Sequence, residues 1–149
     1  MSYTKLLYHV VFRTKKNRLT INQEHEKKLY AYILGIIKNN KSVLYRIGGM
    51  EDHIHLLIDL HPTVALSDCM REVKSASSKW LKQNANFPHF YYWAESFGAF
   101  TYNYTEKDLI INYIKNQKQH HETVSFEDEF RGLLKENGID IDEQYFLKD

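Results

Sequence analysis

Short strand-like runs of apolar residues alternate with longer helical stripes in this chain, and their order restricts the possible folds more than any other feature. The patterns predict strands at residues 6–12, 42–47, 52–60 and 96–102, with Gly48-Gly49 as a turn or bulge. They predict helices at residues 22–39, 67–83, 105–120 and 126–136, followed by an extended tail to residue 149. The order β-α-β-β-α-β indicates an α+β, ferredoxin-like (RRM-like) fold with an antiparallel sheet and an additional C-terminal helix at 105–120.

The length and composition favour one globular domain. A chain of 149 residues fits a single domain, with a core at about 1–121 and an acidic C-terminal helix and tail at about 122–149. A hydrophobic content of 43% excludes a disordered chain. No apolar run reaches the ~18 residues that a membrane span needs, and the first residues lack a signal-peptide pattern, so we expect a cytoplasmic protein. The single cysteine, Cys69, excludes a disulfide within the chain and a cysteine-based zinc site.

The charges are unevenly distributed, although the net charge is only +1. Residues 1–50 carry 10 of the 20 basic side chains and 2 of the 19 acidic ones. Basic residues also occupy one side of the predicted helix at 67–83, which suits the phosphates of a nucleic acid. The candidate DNA-binding residues are Arg13, Lys15, Lys16, Arg18, Arg71, Lys74, Lys79 and Lys82. For the basic residues of the helix at 67–83, the alternative interpretation is an ordinary solvated helix face.

Two histidines in the third predicted strand are candidate metal ligands. Alternation in a strand places Ile54, Leu56 and Ile58 on one face, so His53 and His55 share the opposite face. Paired imidazoles of this kind can bind a divalent metal ion. For an isolated pair, chance placement of two surface histidines is the better interpretation, so further observations are needed.

The helix at 105–120 supplies a candidate nucleophile. Tyr113 and Gln117 are four residues apart and therefore share one helix face. A tyrosine, with a free pKa of about 10, is a poor nucleophile at neutral pH unless a metal or nearby cations favour its phenolate. Because the chain has 11 tyrosines, most of which must pack, the spacing by itself does not select Tyr113.

Several motifs together resemble one family. They are the segment from Tyr8 to Lys15, the His53/His55 strand, Ser77-Ser78-Lys79-Trp80, Phe97-Gly98-Ala99-Phe100, and Tyr113 through Gln117. In this order and spacing they are similar to the single-tyrosine HUH (histidine, hydrophobic, histidine) transposases of small insertion sequences, the IS200-like type. The resemblance covers nearly the whole chain.

The resemblance implies a function and a set of site residues. His53 and His55 correspond to the metal ligands, Gln117 to a third ligand and Tyr113 to the nucleophile. The implied enzyme is a homodimer that cleaves and rejoins single-stranded DNA at element ends folded into hairpins, through a 5′-phosphotyrosine intermediate and with Mg²⁺ or Mn²⁺. The resemblance leaves open which metal is used and whether the tyrosine helix serves its own subunit or its partner.

Two alternatives remain at the level of sequence. A domesticated relative would act on dispersed palindromic repeats in place of its own element. An RRM-like module would bind nucleic acid without catalysis, although the His pair stands where such domains carry aromatic residues. Asp59 shares the face of His53 and is a candidate to orient one of the ligands, whereas His120 and His121 are weaker candidates near the metal.

Overall fold

The computed structural model describes residues 2–149 and contains one four-stranded sheet. Its strands are β1 (Leu7–Arg13), β2 (Val43–Met50), β3 (His53–Asp59) and β4 (Gly98–Tyr102). They lie in the order β2-β3-β1-β4, and every neighbouring pair is antiparallel. This arrangement confirms the α+β, ferredoxin-like fold that was predicted from the order of the apolar patterns.

Helices cover both faces of the sheet. Helices α1 (Glu26–Asn39) and α2 (Leu66–Lys82) pack on one face and enclose the main core, to which β3 contributes Ile54, Leu56 and Ile58. The other face is covered by α3 (Lys107–Lys115) and α5 (Phe126–Glu136), with the short α4 (Gln117–His120) between them in sequence. The face of β3 that carries the histidines is therefore enclosed as well.

Two predicted boundaries were wrong. Gly48 and Gly49 do not form a turn but lie within β2, which continues to Met50 before the turn into β3. The predicted continuous helix at 105–120 is preceded by a 3-10 turn at 104–106 and is broken at Asn116, where φ is −96° and ψ is 17°. Asparagine favours such local departures from helical geometry, because its side chain competes for backbone hydrogen bonds.

The C-terminal segment folds back onto the sheet. Phe126 and Leu133 of α5 pack with Val11 and Phe100 in a second cluster of buried residues. Phe130 of α5 packs against the same cluster, directly over Gly98 of β4. Glycine allows this close approach, because a Cβ at position 98 would lie 2.6 Å from Cε1 of Phe130. The tail after α5 contains a turn at 143–147, in place of the predicted extended chain. Among the helices of residues 2–149, none is long and apolar enough to cross a membrane.

Candidate functional site

The two histidines of β3 lie side by side beneath α3 and α5. The alternation predicted from the sequence is observed, since His53 and His55 point away from the main core, and both side chains are fully buried. Their ring centroids are 5.1 Å apart. Burial of two imidazoles requires polar partners, because an unpaired polar group in the interior costs free energy.

His53 is held through both ring nitrogens. Its Nδ1 lies 2.6 Å from Oδ1 of Asp52, and its Nε2 lies 2.8 Å from Oε1 of Gln117. Burial opposes protonation of His53, but hydrogen bonds to the Asp52 and Glu129 carboxylates outweigh burial and raise its pKa to about 9. The sequence suggested Asp59 as a residue that orients one of the ligand histidines. In the structure Asp59 lies at the far end of β3, where it binds Lys5 and the backbone N–H of Leu6 instead.

His55 is oriented by a histidine on the neighbouring strand. His9 of β1 is fully buried, and its Nε2 lies 2.8 Å from Nδ1 of His55. Burial is the main cause that lowers the pKa of His9 to about 3 and that of His55 to about 4, so both rings are neutral at pH 7. This contact leaves Nε2 of His55 directed at Glu129, 3.1 Å from Oε1. His9 shares its face with Leu7 and Val11, and alternation along β1 would have indicated this position.

The helix that carries the candidate nucleophile packs closely over β2. A Cβ at Gly48 would lie 2.8 Å from the backbone oxygen of Ile114, so the absence of a side chain lets α3 approach the strand. Tyr113 and Gln117 face the same point despite the break at Asn116. The Tyr113 hydroxyl and Nε2 of Gln117 both donate to Oε2 of Glu129, the latter at 2.6 Å.

Glu129 on α5 is the central group of this site, and the sequence interpretation missed it. Its side chain is 1% exposed, and its Oε1 lies 3.1 Å from Nε2 of His55 and 3.4 Å from Nε2 of His53. Burial raises the pKa of the carboxyl, but hydrogen bonds to His121, His53 and His55 outweigh burial and hold the pKa far below its usual range. Burial and this carboxylate together raise the pKa of Tyr113. An acidic residue within the apolar stripe of Phe126, Phe130 and Leu133 was the available sequence signal.

His121 and His120 border the same carboxylate. Nε2 of His121 lies 3.0 Å from Oε1 of Glu129, while its Nδ1 lies 2.6 Å from the carbonyl oxygen of Val124. Nε2 of His120 lies 3.6 Å from Oε2 of Glu129, and its side chain is one-third exposed. These two weaker candidates therefore lie at the site, where His121 is nearly buried and His120 is the more exposed of the two.

The donor set fits a divalent metal ion. Ligand atoms of His53, His55 and Glu129 all lie within 4.8 Å of one another, and Oε1 of Gln117 is adjacent to His53. Two imidazoles with carboxylate and amide oxygens suit ions such as Mn²⁺ or Zn²⁺, and Mg²⁺ less well because it prefers oxygen ligands. The residues that would hold such an ion are thus already gathered at one point.

The residues of this site lie largely within a segment that matches a known family. The sequence profile described as "Transposase IS200 like" matches residues 2–117. The chain belongs to this family. The match includes the His pair, Tyr113 and Gln117, and it ends before Glu129. No curated protein sequence matches the chain significantly.

Solved structures with the same fold include two transposases. One is the crystal structure of a protein from Deinococcus radiodurans R1, described as a candidate transposase. It is 27% identical, with a TM-score of 0.59, and the alignment covers 78% of this chain and 93% of that one. The other is a REP-associated tyrosine transposase bound to a REP hairpin. It is 15% identical, with a TM-score of 0.63, and the alignment covers 83% of this chain and 73% of that one.

In this IS200-like transposase family member, most of the predicted DNA-binding residues surround an aromatic pair. Tyr91 and Tyr92 are exposed, and the side chains of Arg18, Lys15 and Lys82 lie over their rings. A groove of about 440 Å³ beside them is lined by Arg71, Lys74 and Tyr92 among others. We call this region the basic-aromatic surface. Its members are Lys15, Arg18, Arg71, Lys74, Lys82, Tyr91 and Tyr92.

The other predicted DNA-binding residues differ in their surroundings. Lys16 and Lys79 are exposed. Arg13 is 4% exposed, and its guanidinium forms an ion pair of 2.8 Å with the side chain of Asp149 and a hydrogen bond of 3.0 Å to Asn17. A DNA phosphate would reach Arg13 only after displacement of Asp149 at the end of the tail.

Proposed function

We propose that this protein cleaves and rejoins single-stranded DNA by transesterification, with Tyr113 as the nucleophile. The observation that carries the proposal is the hydrogen bond from the Tyr113 hydroxyl to Oε2 of Glu129, directly beside the buried His53 and His55. This hydrogen bond fixes the phenolic oxygen beside the residues that would hold a metal ion, which positions it for attack on a phosphate.

The proposed step conserves the phosphodiester bond energy. The Tyr113 oxygen attacks the phosphorus and releases its proton, the bond from phosphorus to the 3′ oxygen breaks, and a proton passes to the leaving oxygen, which becomes a free 3′-hydroxyl, so no proton is gained or lost overall. The DNA is then joined to Tyr113 through a 5′-phosphotyrosine. Attack of a 3′-hydroxyl on this linkage reseals a strand and returns the proton to the phenolic oxygen, so no ATP is needed.

His53, His55 and Gln117 are the residues that we propose as metal ligands. Asp52 and His9 fix the two imidazole rings through their Nδ1 atoms, which leaves both Nε2 atoms directed at the same point. A bound divalent ion would supply electrostatic stabilisation of the negative charge that develops on the phosphate. We propose Mn²⁺ or Mg²⁺, and the two imidazoles favour Mn²⁺.

The proposed substrate is single-stranded DNA that contains a hairpin. The basic-aromatic surface offers cations for the phosphates and exposed rings for unpaired bases. The REP-associated tyrosine transposase with the same fold is bound to a REP hairpin, which supports a hairpin for this chain too. The ends of an insertion sequence and dispersed palindromic repeats can both form such hairpins in single-stranded DNA, so the test includes both.

The non-catalytic RRM-like alternative is opposed by the packing of the sheet. Such modules stack bases on exposed central strands. Here β1 and β3 are the central strands, and the face that carries Val11, His55 and Leu57 is buried under α3 and α5. We also propose a cytoplasmic homodimer, as the family resemblance implies, and sedimentation analysis of the purified protein tests the dimer.

Trapping a covalent adduct tests the proposed activity. The protein is incubated with Mn²⁺ and labelled single-stranded hairpin DNA, taken from the flanks of its own gene or from dispersed repeats. We expect a labelled protein band that survives denaturing electrophoresis, and none with fully duplex DNA of the same sequence. Binding of hairpin DNA without an adduct, under all metal conditions, would favour the non-catalytic module.

A further inference from the structure

Helix α5 carries Glu129 into the site from beyond the residues that match the family profile. Ser125 caps the start of the helix, and its side chain accepts a hydrogen bond from the backbone N–H of Asp128. Phe126 and Leu133 anchor the helix against Val11 and Phe100 of the sheet. Glu129 is on the same buried side, so the packing of α5 fixes the position of its carboxylate.

The two oxygens of Glu129 have different neighbours. Oε1 faces the imidazoles, 3.1 Å from Nε2 of His55, 3.4 Å from Nε2 of His53 and 3.0 Å from Nε2 of His121. Oε2 accepts hydrogen bonds from Tyr113 and Gln117. The hydrogen bond from Tyr113 therefore does not involve Oε1, the oxygen that approaches the Nε2 atoms of His53 and His55.

We propose that Glu129 is a ligand of the divalent cation through Oε1, together with His53 and His55. This inference rests on the proposed function, because it adds a carboxylate to the ligands named there. An ion that binds the two Nε2 atoms must lie close to Oε1, since the three ligand atoms are within 4.8 Å of one another. A carboxylate also adds negative charge, which imidazole and amide ligands lack when they bind a metal, and this charge strengthens the binding of a divalent ion.

The arrangement connects the metal site to the nucleophile. One carboxylate would contact the ion through Oε1 and hold the Tyr113 hydroxyl through Oε2, so α5 would set the distance between them. A purely structural role for Glu129, as a buried partner of the histidines, predicts a loss of metal affinity of at most about 100-fold when its charge is removed. The two roles therefore differ in a measurement that needs no DNA.

Titration with Mn²⁺ in the absence of DNA tests the inference, with free Mn²⁺ followed by electron paramagnetic resonance. The proteins are the wild type, Glu129→Gln and the control Glu127→Gln, whose side chain lies on the same helix and is 55% exposed. We expect Glu129→Gln to weaken Mn²⁺ binding by more than about 100-fold, because indirect partners of a metal site already contribute about 10-fold to 100-fold and a direct ligand contributes more. Glu127→Gln should bind like the wild type. A loss of about 100-fold or less, including an unchanged affinity, would overturn the inference.

A double variant separates this inference from the proposed function. If the wild type binds Mn²⁺ but His53→Ala/His55→Ala binds it equally well, the proposed metal site itself is wrong. If the double variant loses binding and Glu129→Gln does not, only the role of Glu129 is wrong.

A second measurement does not depend on the folding of a variant. Crystals of the wild-type protein soaked in Mn²⁺ should show an anomalous peak within bonding distance of Oε1 of Glu129 and of both histidine Nε2 atoms. A peak bonded to the histidines but beyond the reach of Glu129 would overturn the inference.

Discussion

Tyr113 and Glu129 are 16 residues apart and lie on different helices, yet the phenolic hydroxyl of one donates a hydrogen bond to the carboxylate of the other. The bond joins the segment that the family profile matches to the C-terminal helix that it does not match. The position of the proposed nucleophile therefore depends on groups from several elements, each of which can be changed separately.

Replacement of Tyr113 by Phe should abolish the covalent adduct with single-stranded DNA. The change removes the oxygen that forms the bond to phosphorus and leaves the basic-aromatic surface untouched. Hairpin affinity, measured by fluorescence anisotropy, should stay within about twofold of the wild type, since no phosphate contact is lost. Tyr104→Phe is the matched control, because Tyr104 is exposed near the start of α3. An adduct that persists in Tyr113→Phe would mean that another tyrosine is the nucleophile.

Replacement of His9 should weaken metal binding although His9 itself is not a proposed ligand. Its Nε2 holds Nδ1 of His55 at 2.8 Å, and partners of this kind typically contribute about 10-fold to 100-fold in affinity. We expect His9→Leu to lower Mn²⁺ affinity by about this factor, and His9→Gln to lose less because an amide retains a hydrogen bond. Calorimetric titration measures both. A folded His9→Leu protein with unchanged Mn²⁺ affinity would refute the positioning role.

Each subunit should use its own tyrosine helix. Within one chain, Oε1 of Gln117 lies 2.8 Å from Nε2 of His53, so α4 and the proposed metal site of the same subunit are already in contact. Mixed Tyr113→Phe and His53→Ala subunits should therefore form no adduct. Recovery of part of the wild-type activity in the mixture would show that sites are shared between subunits.

Gly48→Ala should disturb the tyrosine helix. The added Cβ would meet the backbone oxygen of Ile114 at 2.8 Å, and a backbone atom cannot move aside as a flexible side chain does. We expect a loss of about 1–3 kcal/mol in the free energy of unfolding and reduced adduct formation. Gly35→Ala in α1 is the control, because a Cβ there meets nothing within 4 Å. It should leave stability unchanged or raise it by up to about 1 kcal/mol, since alanine favours helix. Denaturant unfolding compares the two.

Lys74 should make DNA binding dependent on pH. Burial beside Glu95, with Nζ 2.8 Å from that residue's carbonyl oxygen, lowers the pKa of Lys74 to about 8. Lys74 is therefore charged at pH 7 and neutral at pH 9, and a phosphate contact that it makes is lost between them. The slope of log affinity against log salt should fall by about one for the wild type and stay constant for Lys74→Arg. An identical slope at both pH values in the wild type would exclude Lys74 as a phosphate contact.

Deprotonation of Lys74 also affects the stability of the fold. The native state loses this proton near pH 8, whereas the unfolded chain keeps it to about 10.5. The contribution of Lys74 therefore stabilises the folded protein progressively as the pH rises between these two values.

Residues on one element were predictable because local geometry decides which side chains share a face. Alternation placed His53 and His55 opposite Ile54 and Leu56, and the structure has them there. Helical spacing likewise placed Tyr113 and Gln117 on one face, and both bind the same carboxylate. The order of the elements was sufficient for the topology of the sheet, since ferredoxin-like pairing follows from β-α-β-β-α-β.

Contacts between distant elements were decided only by tertiary packing. Glu129 is 74 residues from His55, and His9 is 46 residues from it, so no local spacing relates them. Arg13 has the sequence signature of a surface cation, but in the structure it is buried and the returning tail pairs it with Asp149. Whether a charged side chain is buried depends on which distant segment covers it, and the residues next to it in the sequence do not specify that segment. The sequence alone thus determined the faces of each strand and helix, while the packing of α5 on the sheet determined that a carboxylate stands between the histidines and the tyrosine.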